Sequence, residues 1–181
     1  MNNAENGRLT YEDSCRVLMD AGLLETDEIP PMPARMPRHD DPEPLGVSFF
    51  RTELAGQHFV PGLSLPRTFF GRSTITQCEF LDFDLTESSL CWCDIDHVRF
   101  DRSVLRGCDL RASTFRYVSF RSADLTKADL RHSTFRKCDF RHARLAGAVL
   151  HRSWRWMFTL SAKQRAEVEW HPSGGEDPPG G

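Results

Sequence analysis

The sequence predicts an all-β chain, a four-sided solenoid of about five coils with short flanking α-helices. Three observations carry this. Every fifth residue from Leu65 to Leu150 is Leu, Phe or Ile, 18 positions in succession. Two residues before most of them stands a smaller side chain: Ser73, Cys78, Ser88, Cys93, Val98, Ser103, Cys108, Ser113, Val118, Ala123, Ala128, Ser133, Cys138, Ala143 and Ala148. Sorted at 20-residue intervals, the large residues separate by type: Phe80, Phe100, Phe120 and Phe140 in one column, Leu65, Leu85, Leu105, Leu125 and Leu145 in another.

A period of five fits neither the 3.6 of a helix nor the 2 of a strand. A chain that buries two of every five side chains must keep turning, and stacking its turns makes a continuous core. Like residues recurring at 20 positions mean four repeats per coil and a square cross-section, with similar groups stacked about 4.8 Å apart.

Along the chain, the first element is a helix within residues 1–24. Thr10 with Asp13 makes an N-terminal cap, Val17, Leu18 and Ala21 form the apolar stripe, and Gly22 ends it. It can cover the first coil. Residues 25–46 form a linker; the stretch 27–46 holds six prolines and no periodicity, so it is extended, lying on the surface or loose. The solenoid occupies 47–152. Its early phase runs Phe49, Leu54, Phe59 and then jumps six residues to Leu65, which predicts a bulge beside Pro61 and Gly62. Leu63 and Phe83 stand in a column that continues as Ser103, Ala123 and Ala143, so either the coil widens there or Phe83 turns partly outward. Residues 153–170 read as an aromatic cap, with a short helix in "SAKQRAEVEW" started by Ser161, and 171–181 as a disordered tail.

The "ADLTK", "ADLRH", "CDLRA" and "CDFRH" runs resemble the pentapeptide-repeat family, whose pattern is A(D/N)Lxx. The resemblance covers roughly residues 47–152 and implies a right-handed quadrilateral β-helix. It also implies one candidate partner. Some members look like B-form DNA and protect DNA gyrase from quinolones or toxins.

The chemistry of the exposed positions decides what else to expect. The histidines have no nucleophile or oriented carboxylate in matching spacing, no phosphate loop or metal-ligand spacing occurs, and the strict register leaves no room for a loop-built pocket. The expectation is a non-enzyme without cofactor or metal. Cys78, Cys93, Cys108 and Cys138 occupy the small interior slot, whereas Cys91 points outward in a column with Arg111, Arg131 and His151, where an arginine could lower its pKa. Free cysteines, no membrane-length apolar stretch and no secretory pattern at "MNNAENGRLTYED" point to the cytoplasm and away from the membrane.

Charge is unevenly laid out behind a formal net of −3. Residues 65–98 carry two Arg against six acids, net −4, and residues 99–150 carry twelve Lys or Arg against five Asp, net +7. Arg106, Arg111, Arg116, Arg121, Arg131, Arg136 and Arg141 each follow a large residue and form the candidate interaction surface. Asp96, Asp101, Asp109, Asp129 and Asp139 lie where they could neutralise some of them. Glu79, Asp82, Asp84, Glu87, Asp94 and Asp96 form a candidate acidic patch. Trp154, Trp156, Phe158 and Trp170 are either a cap or the contact of a homodimer formed through the C-terminal end. The leading expectation is a rigid scaffold or regulator that binds a protein through charged sides. DNA mimicry toward gyrase is the alternative, though it needs an acidic rod; nucleic-acid or anion binding by the arginine half comes next, with Tyr117 and Trp92 the only exposed aromatics in the repeats.

Overall fold

The structure, a computed structural model, describes residues 7–38, 40–41, 46–156 and 160–172. Every fifth position turns a corner. Arg67, Arg72, Gln77, Asp82, Glu87, Trp92 and their successors, each two residues after a large apolar side chain, have φ between +54° and +65°. A left-handed residue at each corner swings the chain through a turn and sends the next small–x–large triplet along the next side.

The first side is a five-stranded parallel sheet: β1 (Glu53–Ala55), β2 (Thr74–Thr76), β3 (Asp94–Asp96), β4 (Thr114–Arg116) and β5 (Thr134–Arg136). The other sides are ladders of single bridges. The second runs His58, Glu79, Arg99, Ser119, Asp139; the third Ser64, Asp84, Val104, Asp124, Arg144; the fourth Ser48, Phe69, Ser89, Asp109, Asp129, Val149. The four-sided parallel solenoid expected from the column sorting is the architecture. Its register is 20 residues from β2 onward, but Glu53 pairs with Thr74 and His58 with Glu79, 21 apart. The register returns to 20 at Ser64 and Asp84, so the extra residue falls between 58 and 64, at Pro61 and Gly62. Gly62 has φ +86°.

That bulge receives the N-terminal segment. Leu9 N–H donates to Gly62 C=O at 2.9 Å, Arg8 Nε donates to Asp82 C=O at 3.0 Å, and Ser64 N–H donates to Ser14 Oγ at 2.8 Å. Helix α1 (Tyr11–Asp20) is capped by Thr10, whose hydroxyl accepts from Asp13 N–H. It covers the first coil with Cys15 and Leu18, while Val17 is half-buried and Ala21 exposed. The buried stripe is thus Ser14, Cys15 and Leu18 in place of the expected Val17, Leu18 and Ala21, because the bulge draws Ser14 inward. The described part of the linker lies on the surface, with Pro33 and Pro37 buried and Pro33 C=O accepting from Arg67 Nη1.

Within the prism the large residues stack as sorted. Phe80, Phe100, Phe120 and Phe140 form one ladder with centroid separations of 5.0, 5.5 and 4.9 Å. Phe83 is 1 % exposed, so it does not turn outward; its ring packs edge-on against Phe59 and Phe80. The small slots do more than fill space. Ser113 Oγ accepts from Cys93 N–H at 2.9 Å and donates to Leu90 C=O at 2.7 Å, and Ser103 and Ser133 bridge to the preceding coil in the same way. Each buried hydroxyl is satisfied by backbone that the corner leaves unpaired.

At the C-terminal end β6 (Val149–His151) leads into a 3₁₀ turn, Arg152–Trp156, and then α2 (Ala162–Glu167). The expected helix stops short of Trp170. Glu169–His171 is strand β7, paired in parallel with β6, Val149 opposite Glu169 and Leu150 opposite Trp170. The 20-residue register therefore continues past the cap, with Val168 in the small slot and Trp170 in the large one. α2 closes the corner below: Gln164 Nε2 donates to Phe140 and Ala143 C=O at 2.8 and 3.0 Å. The expectation of a disordered tail falls almost wholly on residues outside those described.

Candidate interaction surface

The corner geometry fixes which charged side chains share a side. Arg116 and Arg136 stand on the first side, at the ends of β4 and β5. Arg121 and Arg141 follow the second-side bridges at Ser119 and Asp139, Arg106 follows Val104 on the third, and Arg111 and Arg131 follow Asp109 and Asp129 on the fourth. The seven arginines therefore ring the lower coils and do not make one patch. Like charges one coil apart, at about 4.8 Å, repel by roughly 1 kcal/mol in water, so what neutralises each one decides the surface.

On three sides the answer is an adjacent carboxylate. Arg111, Arg131 and Arg141 each turn back on the aspartate two residues earlier, donating through Nε and Nη2 to Asp109, Asp129 and Asp139 at 2.6–3.1 Å. The same aspartates cap the corner, accepting the backbone N–H of the arginine they pair with. The Arg141 hydrogen bond holds the Asp139 carboxyl below the usual range, against the opposing effect of partial burial. Arg106 Nη2 reaches Asp124 at 2.8 Å, and Arg121 lies 3.9 Å from Asp139. Asp101, expected to offset Arg121, is instead 7 % exposed and accepts from the Ser119 hydroxyl and the Arg121 backbone N–H, while Arg99 supplies the guanidinium.

The first side differs. Arg116 Nε is 3.6 Å from Asp96, which already holds His97 Nδ1 at 2.7 Å. Arg136 has no carboxylate partner among the described residues. Beside them the corner column stacks His97 on Tyr117, with centroids 4.5 Å apart and planes 17° off parallel, and Lys137 Nζ sits 4.9 Å from the Tyr117 centroid. Thr114 and Thr134, two residues before each arginine, complete a flat array on β4 and β5. Sequence reasoning found the arginines but missed His97 and Lys137. The signal was present, since 97, 117 and 137 are one 20-residue column.

The six acids of the candidate patch divide among the sides. Glu79 pairs with His58 and Arg99 on the second, Asp82 with Arg102 at the next corner, and Glu87 with Arg67 beyond the third. Asp84 accepts from Thr86 on the third, and Asp94 and Asp96 lie on the first.

Cys91, expected to point outward where an arginine could lower its pKa, is 7 % exposed. It lines a groove of about 1090 Å³ on the fourth side together with Met36, Pro37 and Arg38 of the linker and with Trp92, Arg111 and Arg131. Burial raises its thiol pKa, outweighing both the Ser89 hydroxyl and Arg111. Cys93 is pushed up to about 12, chiefly by burial, and Cys138 is half-buried at the last coil. Among the described residues no three His, Cys, Asp or Glu side chains are grouped to hold a metal, and no helix is long and apolar enough to cross a membrane.

The aromatic cluster packs on the end of the prism as far as it is described. Trp154 meets Phe135 edge-on at 5.7 Å, and Trp170 Nε1–H donates to Arg165 C=O at 3.0 Å. Phe158 and the side chain of Trp156 lie outside the described residues.

No curated protein matches the sequence. Among solved structures, a pentapeptide repeat protein from the Arabidopsis thaliana thylakoid lumen is 24 % identical, with a TM-score of 0.54 over 57 % of this chain and 71 % of that one. A pentapeptide repeat protein from the cyanobacterium Cyanothece 51142 is 16 % identical, with a TM-score of 0.33 over 54 % and 86 %. The plasmid-mediated fluoroquinolone resistance protein QnrB1 is 19 % identical, with a TM-score of 0.22 over 59 % and 56 %. The thylakoid-lumen structure supports the fold; the two lower scores bear no weight. The sequence profile of the pentapeptide repeat region matches residues 69–150. Repeat, coil geometry and profile agree over this stretch: residues 69–150 match a pentapeptide repeat region, and their solenoid has the fold of the thylakoid-lumen pentapeptide repeat protein.

Proposed function

We propose that this chain is a non-enzymatic binding module, a rigid scaffold or regulator that holds another protein against its charged sides. The observation that carries the reading is the uneven neutralisation of the arginines. Arg111, Arg131 and Arg141 are each committed to a bidentate aspartate, whereas Arg116 shares one carboxylate with His97 and Arg136 has none among the described residues. Uncompensated like charges on a preorganised surface favour an oppositely charged partner and bias its orientation and rate of encounter. The corner spacing, unbroken from 65 to 150, argues against a loop-built catalytic pocket. Six free cysteines fit the reducing cytoplasm.

Mimicry of DNA toward gyrase is less well supported. A basic channel needs a continuous acidic rod, and here the acids divide among four sides and are largely paired, beside a half with seven excess positive charges. A homodimer built through the C-terminal end has less support too, since Trp154 and Trp170 already pack on the last coil.

The test is affinity capture from a lysate with the full chain, followed by rebuilding any retained complex from purified components. A complex of defined stoichiometry at physiological salt is expected. Retention of only a salt-labile mixture with no stoichiometric partner overturns the reading.

A further inference from the structure

We propose that the C-terminal half of the first side, across β4 and β5, is the docking surface for an acidic protein segment. The inference rests on the binding-module reading above and goes further by naming the side and the chemistry of what it holds. On this side the charges are segregated along the axis. Glu53, Asp94 and Asp96 lie on β1 and β3, and Arg116, Arg136 and Lys137 on or just after β4 and β5. Asp96 reaches Arg116 but is separated from Arg136 by two inter-strand steps, about 10 Å. Among the described residues, three permanent cations therefore face one shared carboxylate.

The sheet shapes the site as well as charging it. Adjacent strands stand about 4.8 Å apart and alternate side chains about 6.7 Å apart along each strand. "TFR" on β4 and "TFR" on β5 therefore present two threonine hydroxyls and two guanidinium groups as a flat rectangular array, all on exposed or half-exposed positions. Hydroxyl and guanidinium donors at that spacing suit the carboxylates of an extended acidic chain. Lys137 is held over Tyr117 and cannot swing back to Asp96 without leaving the ring.

A nucleic acid is the weaker occupant. Base stacking needs an open aromatic face, and His97 and Lys137 already lie against the Tyr117 ring. Trp92 is 51 % exposed, but it precedes β3, so a base stacked there would bring its phosphates beside Asp94 and Asp96.

The test is fluorescence anisotropy with labelled oligoglutamate and with oligothymidine of equal charge, on the full chain. Wild type is compared with R116Q/R136Q/K137Q and with R111Q/R131Q/R141Q, which removes the same charge from other sides; thermal melts confirm that all three fold. Oligoglutamate affinity should fall at least about tenfold in the first variant and less than about threefold in the second. Equal losses in both, or no oligoglutamate binding by wild type, overturn the proposal. Tighter binding of oligothymidine, lost with the same three residues, replaces the protein segment by nucleic acid and also overturns it. A rebuilt partner complex unaffected by the first variant sinks this inference while leaving the binding-module reading intact; absence of any stoichiometric partner sinks both.

Discussion

Truncating Phe120 to alanine tests whether the phenylalanine ladder supports the solenoid. The ring is fully buried, stacks between Phe100 at 5.5 Å and Phe140 at 4.9 Å, and meets Phe115 edge-on at 5.7 Å. Burying and packing such a ring contributes about 3–5 kcal/mol, and each well-formed aromatic pair adds up to about 1 kcal/mol. Collapse around the void is limited because the coils on both sides are tied to this one, Phe100 N–H donating to Ser119 C=O at 2.7 Å and Phe120 N–H to Asp139 C=O at 2.8 Å. Phe120→Ala should therefore cost about 4–5 kcal/mol. Phe140→Ala is the internal reference: that ring is the last of the Phe column and is 5 % exposed where Phe120 is fully buried, so its loss should cost less. Urea melts followed by circular dichroism give both values, with the slope checked because solenoids can unfold coil by coil. A cost for Phe120→Ala no greater than for Phe140→Ala would refute the assignment of the ladder as the main support.

The remaining predictions use other features. Ser113→Ala should destabilise by about 1–3 kcal/mol, since it strands the buried Cys93 N–H and Leu90 C=O; a urea melt matching wild type contradicts the bridging role. Arg121→Ala should cost under about 0.5 kcal/mol by the same assay, because its carboxylate contact is exposed and 3.9 Å long. Asp139 has its folded pKa lowered by Arg141, so its contribution is present above the ordinary carboxylate pKa, near 4, and lost as pH falls through the lower folded value. Stability measured from pH 6 to pH 2 should consequently fall less steeply in Asp139→Asn, and unchanged steepness refutes the pairing. Iodoacetamide at neutral pH should label Cys91 far more slowly in the folded chain than after denaturation, and equal rates would mean the thiol is not buried.

Much of this was legible in advance because the repeat couples position to burial with little ambiguity. Column sorting located the four sides, the Phe ladder and the extra residue near Gly62, since each depends on a 20-residue register that the sequence writes directly. What escaped it depends on contacts between distant segments. Cys91 counts as outward by phase, yet it is buried, at a groove it shares with a linker more than fifty residues earlier. Phe83 violates the small column, and whether it turns in or out depends on packing against Phe59 and Phe80, which periodicity does not encode. β7 was hidden because Arg155 interrupts the phase, although Val168 and Trp170 resume it. The uncompensated charge on the first side needed distances. Spacing could suggest that Asp96 faces Arg116 and that Asp101 precedes Arg121, but the first is an ion pair and the second is a buried acceptor for backbone and Ser119.

The measurement that bears most directly on the account is calorimetric titration of the rebuilt partner complex across a range of salt concentrations, with wild type and with R116Q/R136Q/K137Q. If β4 and β5 carry the binding charge, wild-type affinity should decline steadily as salt screens it, and the variant should bind at least about tenfold more weakly at low salt with a flattened salt dependence. A variant that matches wild type in affinity and in salt dependence would contradict it.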